Sequence, residues 1–335
     1  MKVLVFEYIS GGGLNRQALP ASLAREGLLM LQALLDNCAV INGLDVLVML
    51  DWRLVASTQC ARAKIHTIQA EDDCYQQFIQ LVADCDAVWP IAPESDGVLQ
   101  QWCQVVVDSG KLLLTSPPSA VHLAGNKYLT YLRLLEHTIT TVPTQLLIEA
   151  TTYIEATTYE DGEWMVKAID GVGGEDSYLI TEAVDWHKIP SSSARYIIQP
   201  HLLGEKLSLS CLFKNGRAWL VSVNCQQFVI KNQCYQLTAI IVNYLTDKTG
   251  CYQCLVDNIA KAMPELWGYV GIDLIVTDQQ IWVLEINPRL TTSFTGIQQA
   301  LGINIAEQVL QLIASEPNLK TTVNQPITIT LANDE

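Results

Sequence analysis

The chain has 335 residues, 50% apolar and 16% charged, enough to bury real cores and, at roughly 150 residues per domain, to make about two domains. Asp plus Glu number 35 against 20 Lys plus Arg, and the formal charge of −15 excludes polyanionic partners such as nucleic acid or an anionic lipid surface. No run reaches the roughly 18 uninterrupted apolar residues of a membrane span, and Glu7 interrupts the start MKVLVFEY, so the expectation is a soluble cytoplasmic protein.

The first ~115 residues alternate short apolar runs with helical patterns, which predicts βαβ units and an open parallel sheet. Lys2 to Tyr8 is the first strand, Leu23 to Leu35 a helix, and Asp45 to Leu50, Ala87 to Ile91 and Leu112 to Thr115 further strands. Loops at the carboxyl ends of such strands carry function. They hold Glu7 with Ser10-Gly11-Gly12-Gly13, Asp51, and Pro93-Glu94-Ser95-Asp96. The glycine run is not spaced as GxGxxG, so it does not read as a dinucleotide fingerprint. It reads either as a plain surface turn or as a turn that lets a ligand approach the backbone.

Ser116 to Pro143 forms a punctuated boundary containing a helix from Lys127 to Glu136. IEATTY occurs twice in tandem between Ile148 and Tyr159 and reads as a tolerated loop insertion; Pro190 to Ser193 is another loop. Strands follow at Tyr196 to Gln199, Leu207 to Phe213 and Ala218 to Val223, with Asn215-Gly216 as a hairpin turn. The ten cysteines are scattered apart from Cys251 and Cys254, and no second CxxC or histidine pair completes a zinc site.

Two segments carry chemistry. In Trp164 to Ile180, Lys167 lies inside an apolar strand and is followed by Gly171, Gly173 and Gly174. A buried lysine needs an anion, and bared backbone N–H groups hold phosphates. Standing alone, the segment would read as an ordinary glycine-rich hairpin. In Gly268 to Leu290, two apolar runs flank Asp278-Gln279-Gln280, so a hairpin centred on Gln279 pairs Asp273 with Glu285, and Asn287 shares their face. Facing carboxylates repel unless a cation intervenes. Two carboxylates and an amide oxygen, without thiolate or imidazole, suit Mg²⁺, with Mn²⁺ as an alternative. Arg289 follows, placed to offset developing negative charge. Ile275 and Val283 are expected on the same face, covering it.

The order NKYLTYL, VKAIDGVGG, IIQPHLLGEKLS, GID and LEINPRL resembles the ATP-grasp superfamily across essentially the whole chain. The resemblance implies an α/β chain with an N-terminal open parallel-sheet domain followed by an ATP-grasp fold of two α+β subdomains that clamp ATP. The expected units are residues 1–115, a lid subdomain at 116–200, and a C-terminal subdomain with the metal site at 201–335. It implies that Lys127 and Lys167 bind phosphates under a loop of Gly171, Gly173 and Gly174. Gln199, Pro200, His201 and Leu202 would form the adenine hinge. Glu205 would be the ribose acid, although some relatives place that acid one residue later, where this chain has Lys206. Asp273, Glu285 and Asn287 match the metal ligands, and Arg289, with Lys167, the catalytic cations.

Within the superfamily, FEYISGGG and IAPESDG are most similar to the tyramine–glutamate ligases of methanofuran-type cofactor synthesis, which join tyramine to the γ-carboxylate of glutamate. That similarity implies an ATP-dependent ligase making an amide from a small acid and a small amine through an acyl phosphate. Glu7, Ser10, Gly11, Gly12 and Glu94 are then the candidate substrate residues. An ATP-grasp kinase or carboxylase acting on another acid, and a non-catalytic nucleotide-binding regulator, are the alternatives. A mean hydropathy of +0.21 is the basis for expecting a homodimer.

Overall fold

The computed structural model describes residues 1–59, 62–147, 163–171, 177–182, 185, 189, 196–231 and 234–331. The tandem IEATTY, the Pro190 to Ser193 loop, Gly173 and Gly174 lie outside them. Among the described residues no helix is long and apolar enough to cross a membrane.

Five parallel strands open the chain: β1 (Lys2–Glu7), β2 (Asp45–Asp51), β3 (Ala63–Ile68), β4 (Ala87–Ile91) and β5 (Leu112–Leu113), in the order β3-β2-β1-β4-β5. β1 is buried on both faces, as a central parallel strand must be. Val3 and Val5 meet Leu31 and Leu34 of helix α1 (Ala21–Ala39), while Leu4 and Phe6 meet Phe78 and Trp102 on the other side. β3 is an edge strand whose Lys64 and His66 break the apolar run, which is why its sequence does not announce it. The order reverses beside β1, so the crevice between the ends of β1 and β4 is where such a sheet presents a site.

Helices α2 (Cys74–Ala83) and α3 (Val98–Asp108) complete this unit, and α4 (Pro118–Gly125) and α5 (Lys127–Glu136) lead out of it. Next comes a four-stranded antiparallel sheet of β6 (Gln145–Leu147), β7 (Trp164–Ala168), β8 (Ser177–Ile180) and β9 (Tyr196–Pro200), ordered β6-β9-β7-β8. A six-stranded antiparallel sheet follows, made of β10 (Glu205–Lys214), β11 (Arg217–Lys231), β12 (Cys234–Leu245), β13 (Gly268–Val276), β14 (Ile281–Asn287) and β15 (Ile327–Thr330). Asn215 and Gly216 join β10 to β11 with φ of 51° and 72°, the left-handed pair a two-residue hairpin needs. Helices Ile297–Leu301 and Ile305–Leu312 turn back onto the first unit, and Ile305, Val309 and Leu312 share a core with Val3, Leu31 and Leu34. Cys251 and Cys254 are exposed free thiols on the first turn of helix Cys251–Ala262.

The β13–β14 hairpin departs from the expected register. Its turn is Asp278-Gln279, with Thr277 N–H donating to Gln280 O, one position tighter than a turn centred on Gln279. A bulge at Leu284 restores the offset, so Leu274 pairs with Val283 but Asp273 still pairs with Glu285. The extra residue reverses the alternation. Val283 therefore packs in the core with Leu274, on the face opposite Asp273, rather than covering the carboxylates.

Candidate active site

Between the four- and six-stranded sheets lies a cleft lined from both walls, by Lys127, Met165 and Lys167 on one side and by Asp273, Glu285 and Asn287 on the other. Its floor is the face of the large sheet that carries Asp273. Asp273 is opposite Glu285, and Asn287 stands opposite Gly271 two pairs further on, so it shares their face. Both oxygens of Asp273 are held by amides: Gln226 Nε2 donates to Oδ1 at 3.0 Å and Asn287 Nδ2 to Oδ2 at 3.1 Å. Burial, and then the neighbouring Glu285, push the Asp273 carboxyl well above its ordinary range. Burial would raise Glu285 too, but the charges of Lys127 and Lys167 outweigh it and leave that carboxyl below its usual value. The two facing carboxyls are thus pushed apart, Asp273 toward its neutral form and Glu285 toward its ionised form. The donors are all oxygens on a hairpin, with no imidazole or thiolate, and this chemistry fits Mg²⁺ or Mn²⁺.

Cations face these acids across the cleft. Lys127 is the first residue of α5, whose N-cap Asn126 accepts from Tyr128 N and Leu129 N. A lysine there opposes the helix dipole, so the position serves something other than helix stability. Its ammonium lies 3.5 Å from Glu285 and donates to the Gly171 carbonyl, tying α5 to the loop after β7. Lys167 and Met165 alternate with Val166, so the first two line the cleft while Val166 packs in the lid core. Burial lowers the Lys167 pKa from 10.5 to about 8, against the pull of Glu285.

Gln199, Pro200, His201 and Leu202 line the far end, with Phe228, Tyr235, Leu237 and Ile240. His201 hydrogen-bonds Glu163 through Nδ1 and the Tyr235 hydroxyl through Nε2 at 2.6 Å, fixing the chain where it passes from lid to large sheet. An apolar and aromatic slot of this kind suits a flat heterocycle.

At the other end Arg289 reaches the crevice between β1 and β4. Its Nε and Nη2 donate to Glu94 Oε2 at 3.0 and 2.9 Å. Of the expected substrate residues, Glu94 alone contacts a cleft residue in this way. Glu7 is buried and is spent on its own turn: Oε2 accepts from Ser10 N and Oγ, both at 2.6 Å, and Oε1 from Ile9 N at 3.2 Å. Helix α1 seals it, since a Cβ on Gly27 would stand 2.4 Å from Glu7 Oε2. Gly11 and Gly12 pack against Phe6 and Ile68, so Glu7, Ser10, Gly11 and Gly12 hold the turn together and do not line the cleft.

Glu205 does not line it either. Leu207 of β10 lies in the core, so period-2 alternation turns Glu205 to the same side, where it is exposed and hydrogen-bonds Tyr244. Lys206 takes the cleft side, with its ammonium 4.5 Å from the Tyr235 ring centroid. Glu205→Ala should therefore leave the KM for ATP within about twofold, while Lys206→Ala raises it severalfold, as steady-state kinetics would show. Gln226 and Glu26 also line the cleft and were not expected. Gln226 stands in the polar run Asn224 to Gln227 after an apolar strand, a change of composition that marks strand residues turning toward a cleft.

Comparison with known proteins follows the same lines. The ATP-grasp domain family matches residues 124–293 and the pre ATP-grasp 3 domain family residues 44–121. The chain is 25% identical over 298 residues to the tyramine–L-glutamate ligase of Methanocaldococcus fervens, covering 88% of this chain and 89% of that one. The same enzyme of Methanocaldococcus jannaschii is 26% identical over 298 residues, with 88% and 84% covered. Among solved structures, an ATP-grasp superfamily protein from Archaeoglobus fulgidus superposes with a TM-score of 0.73 at 21% identity, covering 98% of this chain and 92% of that one. The N5-carboxyaminoimidazole synthetase of Staphylococcus aureus complexed with ADP gives 0.72 at 19% identity, covering 98% and 81%.

Proposed function

The chain belongs to the ATP-grasp family, and on that footing we propose that it is an ATP-dependent ligase that joins the carboxyl group of a small acid to a small amine, with glutamate and tyramine as the leading pair. The observation that carries the reading is the convergence on one cleft of Asp273, Glu285 and Asn287 with Lys127, Lys167 and Arg289, beside an apolar slot lined by Phe228 and Tyr235. The substrate pair is supported by the two curated relatives, which carry that activity in their names.

Asp273, Glu285 and Asn287 would hold Mg²⁺, whose contribution is to neutralise charge on the ATP phosphates. Lys127 and Lys167 offset the same charge from the opposite wall. An oxygen of the acid attacks the γ-phosphorus, the bond to the ADP oxygen breaks, and Arg289 stabilises the transferring phosphoryl group. The acyl phosphate then accepts the lone pair of the neutral amine at its carbonyl carbon, phosphate leaves, and the new amide nitrogen gives up a proton. The lid sheet covers the intermediate and limits its loss to water.

The test is ADP release over a matrix of carboxylates and amines, glutamate with tyramine first. Release that requires both substrates, with one amide formed per ADP, is the expected result. Full release with an acid alone and accumulation of its phosphate would mark a kinase. Tight ATP binding without turnover would mark a regulator.

A further inference from the structure

The Arg289 end of the cleft holds more acceptors than its own cation uses. Three of the five guanidinium N–H groups are taken, Nε and Nη2 by Glu94 and Nη1 by Leu290 O at 3.2 Å, which leaves two for a phosphoryl oxygen. Glu26 nevertheless stands in the same wall. It comes from α1 and accepts from Thr292 Oγ1, at the start of the tight turn Thr292–Gly296. The close packing of Gly27 on Glu7 is what lets α1 bring it so near. Glu26 and Glu285 line the same cleft as Arg289, and Glu94 pairs with it at 2.9 Å, so one guanidinium is set among three carboxylates. Glu94 Oε1, moreover, is buried without a hydrogen-bond partner, although buried acceptors are nearly always met by a donor.

The surplus is of one kind, negative charge and hydrogen-bond acceptance. A second metal ion is a poor fit, since Glu94 already pairs with Arg289 and Glu26 already accepts from Thr292, which leaves too few free oxygens for a hard cation's shell. Beside Glu26 and Glu94 Oε1, as distinct from the Arg289 guanidinium, an anion is excluded by its sign. What fits is a compact cation with several N–H donors.

We propose that Glu26 recognises an ammonium group of the substrate and so sets the specificity of this end of the cleft for a cationic nitrogen. The proposal rests on the ligase reading, in which the acid and the amine both reach the γ-phosphate. Two nitrogens share the chemistry: that of the amine to be joined, and the α-ammonium of an amino-acid substrate such as glutamate.

The experiment compares wild type with Glu26→Gln, which keeps the shape and an acceptor for Thr292 but removes the charge, and with Glu26→Asp, which keeps the charge. Wild-type acyl hydroxamate formation from acid, ATP and hydroxylamine tests the ligase reading separately, and its absence with every acid overturns that reading. In Glu26→Gln, a rise of about 10–100-fold in the KM for the amine, with the KM for ATP moving less than about twofold, supports recognition of the amine. The same rise in the KM for glutamate, but not for glutarate, supports recognition of the α-ammonium. Partial recovery in Glu26→Asp belongs to either outcome. If no ammonium-bearing substrate changes its KM by more than about twofold, or if the ATP and substrate parameters fall together with the melting temperature and Glu26→Asp does not recover them, the proposal is overturned.

Discussion

Replacing Glu285 by alanine lowers ATP turnover by at least about 10³-fold. Glu285 is the ionised partner in the facing pair, held below its ordinary pKa by the charges of Lys127 and Lys167 despite burial. Without it, Asp273, held by two amides, is the one carboxyl group the hairpin still presents to the lysines. The hairpin then offers a hard cation one carboxyl group and one amide oxygen, a weak site. Lys127 also loses its 3.5 Å ion pair and, among the described residues, keeps the Gly171 carbonyl. A coupled ADP assay over a range of Mg²⁺ concentrations checks the prediction, with Glu285→Gln as the variant that preserves side-chain volume. Parental turnover in either variant would remove the hairpin from the metal site.

The second large effect is expected at Lys167, and it has opposite signs for activity and stability. Lys167→Met should lower kcat/KM for ATP by about 10²-fold or more and raise the melting temperature at pH 7 by a few degrees. Burial depresses the pKa from 10.5 to about 8, so the folded protein disfavours the ammonium that the unfolded chain keeps. The depression corresponds to ~2 kcal/mol against folding below pH 8, after allowance for solvent in the open cleft. Between pH 8 and 10.5 the unfolded chain binds more protons, so wild-type stability rises with pH across that window and the advantage of the methionine variant shrinks. Wild-type kcat/KM for ATP should fall above about pH 8 as the free enzyme loses this charge. Lys167→Arg, always protonated, should carry the falling limb to higher pH. Melting curves and pH–rate profiles of the three proteins decide it.

Much of this arrangement was legible in the sequence where local pattern and site geometry coincide. Helix α5 was readable from Lys127 to Glu136, and β1, β4 and the β13–β14 hairpin were close to their observed bounds, because apolar runs and turn residues mark them. Lys127, Lys167, Asp273, Glu285, Asn287 and Arg289 all line the cleft. The misses have physical causes. β12 and the second half of β11 were not anticipated, since cleft-facing Gln226 and edge positions dilute the apolar alternation. The facing of Asp273 and Glu285 was expected from a regular hairpin, whereas it depends on a tighter turn and a bulge at Leu284 that no local signal announces. Glu205 and Lys206 are told apart only by strand phase, set by Leu207 entering the core. The glycine run after β1 suits an approaching ligand as well as it suits a packed turn, and only Phe6, Ile68 and Gly27 closing around it decide the matter.

The return of helices Ile297–Leu301 and Ile305–Leu312 onto the first sheet bears on how the protein is made. Val3, Leu31 and Leu34 belong to a core that also needs Ile305, Val309 and Leu312. On the ribosome, at about 5–20 residues per second, β1 to β5 emerge roughly 10–40 s before the helices that cover that face. During this interval α1 is already in place, but the part of that core completed by Ile305, Val309 and Leu312 has not been translated. Newly made chains truncated before residue 297 should therefore depend on chaperones and aggregate, whereas the full chain shields itself. The first sheet thus reaches its finished core only when the helices beginning at Ile297, far downstream in the chain, have been made.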